Sequence, residues 1–169
     1  MRTIIFILLL SPLFSFSQNA DVFIKLTDAR GQQINGESSR KGYERWIQAN
    51  STNSGGKNST QFSFTMTVSG ASADLKRAMA NGEFLSKAEV YAVSPSMGAG
   101  TLVYSIKMEQ VTVLSCTEAM GCNNMMSTTV SLQATRIGWT YYTQGRTGVA
   151  TVSRKYGWDA STNSEWTNF

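Results

Sequence analysis

Histidine is absent from this chain of 169 residues, and that absence decides most of the chemistry the sequence can attempt. It removes the side chain that most often acts as general base or as partner of a serine or cysteine nucleophile. Carboxylates remain: Asp21, Asp28, Glu37, Glu44, Asp74, Glu83, Glu89, Glu109, Glu118, Asp159 and Glu165. They fall one at a time along the chain, so none stands out as half of a glycosidase pair. The glycines at Gly55-Gly56 and from Gly98 to Gly100 lack the flanking lysine and the strand-to-helix setting of a phosphate loop, and read as turns. The expectation is a protein with no catalytic residues and no cofactor.

Sulfur is the second source of chemistry. Cys116 and Cys122 flank the turn-like stretch TEAMG. Two thiols without histidine are too few to complete a tetrahedral zinc site, so no metal is expected. In an oxidising compartment the pair Cys116 and Cys122 closes a small disulfide loop worth about 2 kcal/mol; in a reducing one both stay free. Met120, Met125 and Met126 cluster beside them, as soft-metal ligands or, the reading preferred here, as a flexible loop packed on its neighbours. The row Trp139, Tyr141 and Tyr142 could stack on a sugar, but aromatic residues on strands more often pack across the sheet.

The elements that must position these residues are mainly strands. Val22, Ile24 and Leu26 alternate with Phe23 and Lys25, and Phe62, Phe64, Met66 and Val68 alternate with Gln61, Ser63, Thr65 and Thr67; period two is the strand signature. Tyr43 to Ala49 reads as a short strand or turn, whereas Asn50 to Thr60 (NSTNSGGKNST) is polar throughout and reads as an exposed, mobile loop. One helix is expected, with Ser72 as N-cap, Leu75, Ala78 and Met79 on one stripe, and Asn81-Gly82 as the stop. Strands follow over Lys87 to Val93 and Thr101 to Val113. Last comes a hairpin of VSLQATRIGWTYYTQ and VATVSRKYGWD. About eight strands and one helix suggest a compact antiparallel sandwich or barrel.

The first seventeen residues read as a signal peptide: Arg2, then the apolar run from Ile4 to Leu10 resuming through Leu13, Phe14 and Phe16, closing on Ser15 and Ser17. The run is too short for a comfortable membrane span. Cleavage after Ser17 leaves residues 18–169 as a single domain, with no stable membrane span, in the periplasm or outside the cell. Loss of Arg2 leaves 14 basic against 11 acidic residues, a net charge of +3. The basic residues are scattered singly rather than gathered on one face, which argues against nucleic acid as a partner.

In order along the chain, ADVFIKL, RKGYERWIQA, SADLKRAMANGEFLSKAEVY, Ile137-Gly138-Trp139-Thr140-Tyr141, Gly157-Trp158-Asp159 and Thr162-Asn163 resemble the haemolysin-coregulated protein (Hcp) family, the inner-tube subunit of type VI secretion systems. The resemblance implies a two-sheet antiparallel β-barrel with one short helix. It implies a non-enzymatic subunit that forms hexameric rings, stacks them into a tube, and carries small effectors or meets a spike partner. Trp139, Tyr141, Gly157, Trp158 and Asp159 become structural markers. The loop holding Gly36, Lys41, Tyr43 and Lys57 is expected to project toward an adjacent ring. The leader and the cysteine pair depart from the family pattern and point to an exported variant. An exported monomeric module binding carbohydrate or peptide on the same barrel is the alternative.

Overall fold

The structure, a computed structural model, describes residues 20–55, 59–95, 100–121, 124–144 and 149–169. The expected leader, residues 1–17, lies outside them, as do Lys57 and Cys122. The described strands are β1 (Asp21–Asp28), β2 (Gln33–Ile34), β3 (Ile47–Ser54), β4 (Gln61–Thr67), β5 (Phe84–Ser94), β6 (Thr101–Met120), β7 (Met126–Gln144), β8 (Ala150–Asp159) and β9 (Ser164–Glu165), with α1 (Gly70–Asn81) between β4 and β5. All pairings are antiparallel, and the ladder runs β4-β3-β1-β5-β6-β7-β8-β9 with β2 beside β1. A further pairing of β4 with β7, from Gln61↔Gln133 to Thr67↔Ser127, joins the sheet back to itself. The fold is therefore mainly β, a closed antiparallel barrel with one helix, as expected.

The alternation seen in the sequence is what closes it. Ile24, Leu26, Phe62, Phe64, Val130 and Leu132 point inward and are almost fully buried, and each such side chain contributes about 1.5–3 kcal/mol by leaving water. A strand as long as β6, 20 residues, must bend to follow a barrel wall. It does so at Gln110, whose φ is 51°, and at a register shift between Val113 and Ser115 that leaves Leu114 unpaired and pointing out; an extra residue of this kind bends a strand and strengthens its twist.

Two expectations about element limits are corrected. Asn50–Ser54 is the continuation of β3, paired with β4 from Ser51↔Thr65 to Ser54↔Phe62. A polar run needs no apolar burial of its own when its backbone groups bond to a strand already anchored in the core. The stretch after Cys116 is likewise strand as far as Met120, which pairs with Met126.

The helix starts earlier than expected. Its N-cap is Ser69, and Ser72 sits at the third helical position, where its hydroxyl accepts from the Ser69 N–H at 3.2 Å and pairs with the Thr128 hydroxyl at 2.8 Å. Ala71, Ser72, Leu75 and Ala78 are buried, while Met79 of the expected stripe lies at the edge of the contact. Gly82 closes the helix in the left-handed conformation (φ 63°), as the Asn-Gly signal predicts. Lys76 reaches Glu118 at 2.7 Å, so α1 sits against the Cys116–Glu118 part of β6.

Candidate functional site

The sequence markers converge on the outer wall of β7 and β8. Ile137, facing the core, pairs with Trp158, and the next pairs outward are Gly138↔Gly157 and Trp139↔Tyr156. Trp139 and Trp158 pack partly against the core. The two glycines leave a flat floor on the opposite face, and the C-terminal segment lies on it. A methyl group on Gly138 would stand 2.5 Å from the Phe169 ring, and one on Gly157 would overlap the Trp166 carbonyl and Phe169. The Trp166 N–H donates to Gly157 O at 2.9 Å, Lys155 Nζ donates to Phe169 O at 2.5 Å, and the same ammonium sits 4.2 Å from the Phe169 ring centre. This strap, with Trp166 nearly buried, has no periodic signal in the sequence; the paired glycines were its trace.

Asp159 has two tasks. Its Oδ1 accepts from the Ser161 hydroxyl at 2.5 Å and from the N–H groups of Ser161 and Thr162, holding the turn toward β9. Its Oδ2 meets Arg136 Nε at 3.0 Å, and Glu109 meets Arg136 Nη1 at 3.0 Å. Two carboxylates thus share one guanidinium on neighbouring strands. The Ser161 hydroxyl, the turn amides and Arg136 hold the Asp159 carboxyl below its ordinary range. A carboxylate kept ionised by three donors on one oxygen and a guanidinium beside the other is a structural anchor, whereas a glycosidase acid must hold its proton near neutrality.

The cleft between the strap and the β5–β6 wall, about 270 Å³, is lined by Lys87, Glu89, Lys107 and Glu109 beside Trp166 and Phe169. These charges face each other as Lys87↔Glu109 and Glu89↔Lys107, so the wall selects neither anions nor cations. Among the described residues no three His, Cys, Asp or Glu side chains group as metal ligands, and no helix is long and apolar enough to cross a membrane.

The loop between β2 and β3 folds back onto the barrel. Gly36 N–H donates to Arg45 O at 2.7 Å, and a side chain at Gly36 would stand 2.5 Å from the Ile47 backbone, so this close approach requires glycine. Tyr43 stacks on Phe23 at 4.5 Å and meets Trp46 and Tyr91 edge-on at 5.3 and 6.2 Å. Phe23 is as buried as Ile24 although it points away from the core cluster; the loop supplies its cover. Arg40 pairs with Asp21 and lies over the Phe23 ring. Burial pushes the Tyr43 hydroxyl up, and Arg40 partly offsets this. Tyr43 is therefore an anchor of the loop, while Lys41 stands exposed in it.

At the same end of the barrel, one register step from Tyr91 and Ser105, the core face continues as open aromatic surface. Trp139 stacks with Tyr156 at 5.9 Å, and Tyr104 meets Tyr141 at 5.0 Å. Tyr141 and Tyr156 are about half exposed, at 51% and 49%. Tyr104 is the half-buried end of this row, its hydroxyl pushed up to about 12 by burial, against the lowering effect of a hydrogen bond with Ser54. Cross-strand packing and an open surface thus coexist in one row.

Of the cysteines expected to pair, Cys116 is a free, buried thiol whose Sγ lies 3.9 Å from Ser72 O, and burial pushes its pKa up. Cys122 lies outside the described residues. The ladder runs extended from Cys116 past Met120 to Gly121, whose N–H donates to Met125 O; five residues at about 3.3 Å each separate the first and last by about 16 Å, against a disulfide limit of about 7 Å between Cα atoms. The methionines beside it do not pack as expected: Met120, Met125 and Met126 stand open at the hairpin end.

A family model described as "Type VI secretion system effector, Hcp" matches residues 23–141. No curated protein matches the chain. Among solved structures, Hcp1 from Salmonella typhimurium superposes with a TM-score of 0.74 at 20% identity, covering 88% of this chain and 99% of its own. A type VI secretion system effector from Yersinia pestis gives 0.66 at 18%, covering 82% and 99%, and the Hcp1 protein from E. coli EAEC 042, as a double-tryptophan variant, gives 0.64 at 22%, covering 79% and 97%. With the barrel closed through β4 and β7 and the marker residues assembled on one wall, the chain belongs to the Hcp family of type VI secretion.

Proposed function

We propose that the mature chain is a non-enzymatic, ring-forming structural subunit of the Hcp type, closing into hexamers that stack into a tube and carry small effectors in the lumen. The observation that carries this reading is coverage: the match spans 99% of the Salmonella typhimurium Hcp1 chain, so what the two share is the fold of that whole chain. The chemistry of the site supports it. The two carboxylates that meet, Glu109 and Asp159, share the Arg136 guanidinium as an ion-paired cluster, and the conspicuous aromatic groups pack or lie on an open rim.

The leader makes this an exported variant. Removal of residues 1–17 by the export machinery delivers the subunit to the periplasm or beyond, with Gln18 as its first residue. Intact mass of the protein recovered from the exported fraction tests this directly: a chain beginning at Gln18 supports it, and a chain retaining residues 1–17 refutes it. Lys41, exposed in the β2–β3 loop, is the ring-stacking contact in this reading; Lys57, expected in the same stretch, lies outside the described residues.

The half-exposed Tyr141 and Tyr156 favour one competitor, an exported monomer that binds carbohydrate or peptide. Native mass at high concentration separates the two. Six protomers per particle support the ring, and a single protomer whose tryptophan fluorescence responds to a soluble glycan or peptide supports the binding module.

A further inference from the structure

The loops from β3 to β4 and from β7 to β8 are polar, running through NSGGKNST and QGRTG. The end that joins β6 to β7 instead carries Met120, Met125 and Met126, exposed by 67%, 62% and 46%. Met66 and Met108, by contrast, are almost fully buried in the core, where an apolar side chain is normally found. Three open thioethers at one turn are not packing groups, and the reason to prefer packing over soft-metal chemistry falls away with that observation.

The backbone holds two of the three opposed. Met120 and Met126 are a directly facing pair on the β6–β7 ladder, so both side chains leave the same face with their Cβ atoms about 4.5–5.5 Å apart. Beyond the pair, Gly121 N–H donates to Met125 O at 3.0 Å and Asn124 N–H to Gly121 O at 3.1 Å, with Asn124 in the left-handed conformation at φ 55°. On the other side Met126 O accepts from Val68 N–H at 3.3 Å, one residue before the N-cap Ser69, which ties the pair to the start of α1. The backbone is therefore fixed while the side chains are free. Methionine turns about three bonds, enough for both sulfurs to close on one ion.

Thioether sulfur is a neutral, soft ligand that selects Cu(I), whereas Zn(II), Mg(II) and Ca(II) take imidazole, thiolate or oxygen. We propose that Met120 and Met126 form a clasp for a soft monovalent cation of the Cu(I) kind. No histidine is present to draw a harder metal, and Glu118, the carboxylate nearest to Met120 along β6, is occupied by Lys76. The clasp needs neither a ring nor a tube, so it stands or falls apart from the reading above.

The test titrates the mature chain with silver nitrate in chloride-free buffer, Ag(I) being a soft monovalent ion that keeps its oxidation state in the calorimeter. Every protein in the series carries Cys122→Ser, so that a thiol in the loop cannot answer for the thioethers. This parent is expected to bind one Ag(I), the double variant Met120→Leu/Met126→Leu to lose that binding, and Met79→Leu, which alters an exposed methionine on α1, to keep it. Leucine matches methionine in volume, and circular dichroism checks that each barrel is retained. A parent that binds no Ag(I), a double variant that binds as the parent does, or an equal loss in Met79→Leu overturns the proposal. Zn(II) bound at the same place would overturn it too. Methyl spectra of the parent labelled at methionine give an answer that needs no Met→Leu variant to fold: the Met120 and Met126 signals must shift on adding Ag(I) while those of Met66 and Met108 stay in place, and unshifted Met120 and Met126 signals refute the clasp.

Discussion

Gly138 and Gly157 are paired across β7 and β8, and the Phe169 ring occupies the space their missing side chains leave. Adding a methyl group at Gly157 must lift the strap, because the Trp166 carbonyl is backbone and cannot rotate away. Gly157→Ala is expected to cost about 1–3 kcal/mol, the usual range for overpacking, read as a lower denaturation midpoint at unchanged slope; an unchanged midpoint would show that the strap does not bear on stability. Asp159 makes a prediction of different kind. Its folded carboxyl titrates below the ordinary range, so at intermediate acidity the unfolded chain binds the extra proton. The stability this provides is present above the ordinary Asp value of about 3.9 and is lost as pH falls through the lower, folded value. Asp159→Asn should flatten the acid limb of a stability–pH curve, and an acid limb identical to wild type would contradict the assignment. The sequence showed Gly157-Trp158-Asp159 as a marker but not its cause, because the strap that explains the glycine and the arginine that explains the aspartate lie elsewhere in the chain.

The regular elements were legible where one face is buried and the other is not. β1, β4 and the first half of β7 alternate because each faces the barrel interior, and α1 carries its own stop at Gly82, although its N-cap is Ser69 and not Ser72. What escaped was the second half of β3, whose five exposed polar residues carry no pattern because neither face is covered. The fold-back of the β2–β3 loop escaped as well, since Phe23, Tyr43, Trp46 and Tyr91 meet only in three dimensions. At this scale α1 depends on Ser72, whose hydroxyl serves both the cap and Thr128. Ser72→Ala should cost about 1–2 kcal/mol, and a loss below about 0.3 kcal/mol in the same denaturation assay would sink that role. The ladder through Cys116 to Met120 predicts that Cys116 is silent to a thiol reagent in the folded protein and reacts once the chain is unfolded without reductant. Reaction absent even after unfolding would mean the bridge to Cys122 exists and this end of the hairpin differs.

At the scale of the whole molecule, one closed barrel carries, among the described residues, two strand edges with no recorded partner and a half-exposed aromatic rim. Natural sheets usually blunt such edges with charge, bulges or short length. Here each is interrupted by a register shift, between Ala49 and Ser51 and between Tyr141 and Tyr142, which limits how far any added strand can extend. The fold class and the family were both readable from the order of short motifs, because those motifs mark the barrel wall; the edges were not, because an edge is defined by what fails to pair. The central claim is that this barrel is a ring subunit, and the native mass of the purified mature chain tests it most directly. The account predicts a particle of six protomers at high concentration. A particle with the mass of one protomer under the same conditions would contradict it.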